Sequence, residues 1–131
     1  MKLRVEYISV DVLVELHEEI ILESGGLDGM LFEASLEHLS LYLEECFEIT
    51  NEEDIFMASA IILHSIITQH PFFDGNKRTG LAAADAFLIE NGYELEIKKE
   101  ESIDFCLAVA RGDKNTEEIK YWLEKRTKKT L

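Results

Sequence analysis

Proline occurs once, at Pro71, and cysteine twice, at Cys46 and Cys106, in a chain of 131 residues. A single proline leaves little to interrupt helices. Two distant thiols with no Cys-x-x-Cys pair supply neither a zinc site nor a disulfide framework, and reduced thiols in a cytoplasmic protein are the expectation. Long apolar runs are missing too. The longest, Met57–Leu63, is broken by Ser59 and followed by His64, far short of a membrane span. Met1–Val5 carries charge but leads into no signal-type apolar segment, which argues against secretion. Basic residues are scarce: 13 Lys and Arg stand against 27 Asp and Glu, a formal charge of −14. That sign repels phosphate polymers and disfavours direct nucleic-acid binding, while it suits a basic partner. Any anion site must be built from a few concentrated donors.

What remains is an ordinary globular balance, 47% apolar and 31% charged, which excludes disorder. The length suits one domain over residues 1–131, large enough to bury about two-thirds of its unfolded surface. Helical periodicity dominates. Ser9 can cap a first helix, with Ile8 and Leu13 as a staple, and Val10, Leu13, Val14, His17, Ile20 and Ile21 mark one face up to Gly25-Gly26. A second helix is expected over about Leu31–Glu45. Thr50-x-x-Glu53 reads as a capping box opening a third helix, apolar on nearly every side from Ile55 to Ile67 and so placed mid-domain.

Pro71 ends that helix and biases His70 away from helical geometry. A fourth helix is expected from about Asn76 to Asn91, stopped by Gly92, a fifth over about Ser102–Arg111, and a sixth capped by Asn115-x-x-Glu118 and ending in Glu124-Lys125-Arg126. Tyr93–Ile97 alternates like a short strand without an evident partner. The expected fold is all-α, a compact bundle of about six helices around a buried central helix.

The interval from His70 to Gly80 differs from the rest. It packs a histidine, an acid, a glycine, an amide and two cations between two apolar helices. Gly75 lets the backbone bend and approach a ligand closely. The helix that follows offers unpaired N–H groups and the positive end of its dipole, a nest for phosphate. Lys77 and Arg78 would be unfavourable in a first helical turn unless an anion sat there. Asp74 is the nearby carboxylate that could hold Mg²⁺ against the same phosphates, and His70 is the candidate general base. Phe72 is expected to turn into the core and pin the loop. Neither Gly-x-x-x-x-Gly-Lys nor Gly-x-Gly-x-x-Gly occurs, which removes P-loop, Rossmann and kinase glycine loops.

His70-Pro-Phe-Phe-Asp-Gly-Asn-Lys-Arg78 resembles the signature of the Fic/Doc family, HxFx(D/E)GN(G)RxxR, and most of all its death-on-curing (Doc) branch, where lysine replaces the last glycine as Lys77 does. The resemblance takes in the Gly25-Gly26-Leu27-Asp28-Gly29 turn, the Thr79–Gly92 helix and the Ala110-Arg111-Gly112 turn. It implies that His70 deprotonates or orients an attacking hydroxyl and that Asp74 binds Mg²⁺. Gly75 and Asn76 would line the anion hole, and Arg78 would be the first phosphate-binding arginine. Two positions depart from the pattern. Leu81 stands where the second arginine falls, and Met30-Leu31-Phe32 replaces an Arg-Asp pair.

The implied activity is that of a toxin kinase moving the γ-phosphate of ATP to a hydroxyl of a translation factor, elongation factor Tu by resemblance. Fic-like AMP transfer and a catalytically inactive binding module are the alternatives. No (S/T)xxxE(G/N) inhibitory string occurs, so a separate Phd-like antitoxin is expected to restrain the protein. His17, His38 and His64 lack ligand spacing and read as core or surface residues, with His64 hydrogen-bonded in the core. Asp85 reads as a partly exposed helix residue, Trp122 as core, and Lys125–Lys129 as a helix end.

Overall fold

The computed structural model describes residues 3–130; of the Met1–Val5 segment, Met1 and Lys2 lie outside the described residues. The described residues form six α-helices: α1 (Val10–Ser24), α2 (Glu33–Leu41), α3 (Glu52–Gln69), α4 (Asn76–Glu90), α5 (Lys99–Ala110) and α6 (Thr116–Lys125). α2 runs into one wider π-helical turn, Tyr42–Cys46. The all-α class holds, and so does the place of α3 at its centre. α3 buries Ile55, Phe56, Ala58, Ala60, Ile62, Leu63, Ile66 and Ile67 against α4, α6, α2 and α5.

Local chemistry sets most boundaries. Ser9 caps α1, its hydroxyl accepting from Val12 N at 3.2 Å, and Gly25 ends the helix with φ 81°. Asn115 and Glu118 form the expected reciprocal box at α6. At α3 the cap is shifted by one residue. Asn51 Oδ1 accepts from Asp54 N at 3.0 Å, and Asp54 Oδ2 accepts from Thr50 N at 2.9 Å, so Asn51 takes the position expected of Thr50. Asparagine is the stronger N-cap, and Asp54 reaches one residue past it, accepting from Thr50 instead of from the N-cap N–H of a capping box. α5 begins a turn early, at Lys99, since Glu100 and Glu101 favour its N-terminal end.

The strand expected at Tyr93 has a partner after all. β1 (Tyr93–Leu95) pairs antiparallel with β2 (Thr127–Lys129), Tyr93 opposite Lys129. The terminal lysines therefore form a strand instead of prolonging α6. Lys128 Nζ lies 2.6 Å from Glu96 and Lys129 Nζ 2.7 Å from Glu52, exposed pairs that flank the ribbon beside the bond from the Tyr93 hydroxyl to Glu52.

α3 and α4 pack closely because Gly80 has no side chain. A Cβ there would meet Ile67 Cγ1 at 2.9 Å and the Leu63 carbonyl at 3.3 Å. This contact sets the two helices at a fixed separation, and the loop between them, residues 70–75, carries the unusual chemistry. Trp122 is buried, stacked on Phe105 at 3.8 Å, while Asp85 is half-buried. His64 is half-buried too, and no hydrogen bond among the described residues involves its ring, contrary to the hydrogen-bonded core role expected of it.

Candidate functional site

The loop between α3 and α4 is tied down by its own residues. Phe72 is 1% exposed and turns into the core as expected. Asn76, the first residue of α4, folds its amide back over the loop. Oδ1 accepts from Phe72 N at 3.1 Å and Nδ2 donates to Phe72 O at 2.9 Å, which fixes the amide's orientation. The second N–H of Nδ2 faces His70 Nδ1 at 3.2 Å. A neutral His70 therefore accepts at Nδ1 and carries its proton on Nε2.

His70 leaves the helical geometry of α3, as expected before proline, and does so into the left-handed region. Its φ of 48° and ψ of 60° are left-handed, and it is the one non-glycine residue of positive φ among the described residues. Such backbone costs about 1–3 kcal/mol and persists where neighbours impose it. Here the neighbours are visible. Pro71 O accepts from Leu31 N at 2.7 Å and Phe32 N at 3.0 Å, Phe73 N donates to Gly29 O at 3.1 Å, and Asn76 holds the ring.

α4 starts at Gly75, left-handed at φ 76°, and its first internal bond runs from Thr79 N to Gly75 O. The N–H groups of Asn76, Lys77 and Arg78 precede that bond and point out of the helix end. Gly75 N is used differently, donating to Asp74 Oδ1 at 2.9 Å. Asp74 Oδ2 accepts from Leu27 N at 3.2 Å. These two N–H groups, then the Arg78 and Lys77 charges, hold the Asp74 carboxyl below the usual carboxylate range. It is ionised at neutral pH and exposed, with lone pairs to spare.

The two cations flank the helix start. Arg78 Nη2 donates to Gly25 O at 3.3 Å, at the negative end of α1, which has no basic residue in its last turn. Lys77 lines a groove with Leu81, Ser102, Ile103 and Cys106, and its charge acts on the Cys106 thiol. Neither takes part in an ion pair among the described residues, unlike Lys120, Arg126, Lys128 and Lys129. The six sequence candidates, His70, Asp74, Gly75, Asn76, Lys77 and Arg78, thus lie along one turn of chain. Leu81, one turn on, faces an apolar groove of about 480 Å³ between α1, α4 and α5.

Two neighbours escaped the sequence reading. Gly26, with φ 118°, leaves room for Asp74, since a Cβ there would stand 2.7 Å from Oδ2. His17 of α1, 1% exposed, reaches Asp74 O through Nε2 at 2.7 Å and stacks on the Phe72 ring at 3.8 Å. The available signal was a titratable ring one turn after Leu13 on the buried face of α1.

Magnesium fits this donor set by its chemistry. Among the described residues no three His, Cys, Asp or Glu side chains gather into a metal cage. A single ionised carboxylate beside an anion nest is what a cation sharing its shell with phosphate and water requires. Among the described residues no helix is long and apolar enough to cross a membrane.

Residues 7–88, from before α1 through most of α4, match the family model described as Fic/DOC family. The chain is also 32% identical over 107 residues to "Protein kinase doc" of Escherichia phage P1, covering 82% of this chain and 84% of that one. With the motif, the fold and these matches together, the chain belongs to the Fic/Doc family, in its Doc branch.

Proposed function

We propose that this protein is a Doc-like toxin kinase that transfers the γ-phosphate of ATP to a hydroxyl of a protein target. The observation that carries the reading is the 3.2 Å contact from His70 Nδ1 to Asn76 Nδ2, which keeps an imidazole beside the first turn of a helix with three unused N–H groups. Proton chemistry and phosphate binding then share one site.

In this reading the N–H groups of Asn76, Lys77 and Arg78, with the two cationic side chains, hold the terminal phosphates. Asp74 holds Mg²⁺, which when bound neutralises charge on the phosphate oxygens. The hydroxyl oxygen bonds to the γ-phosphorus as the bond to the bridging oxygen breaks, and ADP leaves. His70, protonated on Nε2, donates to the hydroxyl oxygen and orients it. The hydroxyl proton moves late to an oxygen of the transferred phosphoryl group, because Nε2, the ring nitrogen facing it, already carries a proton and Nδ1 is occupied by Asn76 Nδ2. Orientation comes first, since a loose phosphoryl-transfer transition state leaves the hydroxyl proton in place until late.

Leu81 favours this reading over AMP transfer, because the chain offers no second arginine for the outer phosphates of an AMP donor. The protein kinase name of the phage relative points the same way. A translation factor such as elongation factor Tu is the target implied by the resemblance, and a Phd-like antitoxin the restraint. Both are protein partners acting in the cytoplasm, with no nucleic acid or membrane involved.

Incubating the protein and a cell extract with α- or γ-labelled ATP tests the reading. Label is expected in a protein target from the γ position alone, and His70→Ala should slow transfer about 10²–10⁴-fold while sparing nucleotide binding. Label arriving only from the α position would replace the kinase with an AMP transferase. The absence of both labels, with no Mg-ATP binding, would point to an inactive binding module.

A further inference from the structure

We infer that His17 is a positioning residue of this site, holding Asp74 at the mouth of the anion nest from the far side of the loop. The inference rests on the reading that Asp74 holds a metal against ATP. His17 belongs to none of the motif positions; it comes from α1, 57 residues before Asp74.

Four contacts define its part. Nε2 lies 2.7 Å from the Asp74 carbonyl oxygen, which can only accept, so this nitrogen carries the proton. The ring lies flat on Phe72, with centroids 3.8 Å apart and planes 4° from parallel. Nδ1 looks toward Asp28 Oδ1 at 3.7 Å, in the same turn that presents Leu27 N to the Asp74 carboxylate. Cδ2 would touch a Cβ placed on Gly75 at 3.6 Å. His17 therefore sits where α1, the Gly25–Gly29 turn and the catalytic loop converge.

The alignment of these bonds gives it leverage. The Asp74 side chain is held through its two oxygens by Leu27 and Gly75, and the loop before it by Gly29, Leu31 and Phe32, but none of those bonds reaches the Asp74 carbonyl. The bond from His17 fixes the carbonyl, and with it the Cα from which the carboxylate projects and the peptide leading into Gly75. A side chain buried to 1% exposure and stacked on a core phenylalanine has almost no rotamer freedom, which suits a rigid support. Supports behind a metal-binding carboxylate are worth about 10–100-fold in metal affinity.

Three variants of the full chain separate support from simple packing. His17→Gln keeps an N–H donor at the reach of Nε2, His17→Phe keeps the stacked ring without a donor, and His17→Leu removes both. Each is compared for unfolding temperature, for Mn²⁺ half-saturation by electron paramagnetic resonance with a non-hydrolysable ATP analogue, and for the amide shifts of Gly75 and Asn76 without ligand. His17→Phe and His17→Leu, where folded, are expected to raise the Mn²⁺ half-saturation about tenfold and to displace both amide signals, with His17→Gln within about threefold of the parent. A folded His17→Phe or His17→Leu with parental Mn²⁺ affinity and unmoved amides would overturn the inference. Were the parent itself to bind no metal–nucleotide, the reading of Asp74 would fail instead. The ligand-free amide shifts would then still decide whether His17 holds the loop.

Discussion

Asp74 is held at three atoms by three parts of the chain: Oδ2 by Leu27 N, Oδ1 by Gly75 N and the carbonyl by His17 Nε2. An exposed carboxylate so tethered has one place to be, which suits the metal-holding role proposed for it. Gly26 is part of this arrangement, since any side chain there meets Oδ2. Gly26→Ala should destabilise the protein by about 1–3 kcal/mol through backbone strain. It should also weaken Mg-ATP binding, seen by calorimetry as a rise in Kd beyond what the stability loss explains.

The charge of Asp74 has a signature in pH. Its carboxyl lies below the ordinary range in the folded protein because it accepts from Leu27 and Gly75. Its contribution to stability is therefore fully present above the unfolded value of about 3.9 and is lost as pH falls through the depressed folded value. The difference in unfolding temperature between the parent and Asp74→Asn should stay constant from neutrality to about pH 5 and close only in stronger acid. A difference that fades between pH 7 and 5 would mean that another group holds the turn.

At the scale of elements, the close approach of α3 and α4 positions the loop between them. Glycine to alanine in a helix normally stabilises by about 1 kcal/mol. At Gly80 the added methyl would stand 2.9 Å from Ile67 and press on the Leu63 carbonyl, so Gly80→Ala should instead destabilise by about 1–3 kcal/mol. Chemical denaturation reads the sign directly.

The elements also show what the chain discloses in one dimension. Ser9, Asn115-x-x-Glu118 and the apolar run of α3 act locally, so their roles could be read from neighbours a few residues away. β2 could not, because Thr127–Lys129 has no alternation of its own and becomes a strand only through partners at Glu52, Tyr93 and Glu96. The site divides the same way. The motif residues share one turn of chain and were legible together. His17 and Gly26 act across a gap of about fifty residues, and nothing in their immediate sequence announces it. That His70 leaves the helix is legible from Pro71, whereas its turn into the left-handed region follows only from the contacts of its surroundings.

Across the whole molecule, the formal charge of −14 makes the two cations at the start of α4 conspicuous. Lys120, Arg126, Lys128 and Lys129 are matched to carboxylates, whereas Lys77 and Arg78, like Arg4, Lys98, Lys99, Lys114 and Lys125, are in no ion pair among the described residues. Exposed pairs of that kind add little stability. What sets Lys77 and Arg78 apart is their place beside the open N–H groups at the start of α4.

The two thiols report on the integrity of this arrangement. Burial pushes the Cys106 thiol up to about 11, against the opposing pull of Lys77, while Cys46 is exposed. A thiol reagent near neutral pH should therefore modify Cys46 readily and Cys106 only on unfolding. Early reaction at Cys106 would show that the α4–α5 groove opens in the native state.

The central claim is that a nucleotide's terminal phosphate sits on the first turn of α4. Titrating isotope-labelled protein with magnesium and a non-hydrolysable ATP analogue, and following the backbone amides, tests it most directly. The account predicts the largest shifts at Asn76, Lys77 and Arg78. It is contradicted if those three stay still while the amides of His38, Tyr42 and Thr116, around the separate groove of about 600 Å³ beside α2, respond instead.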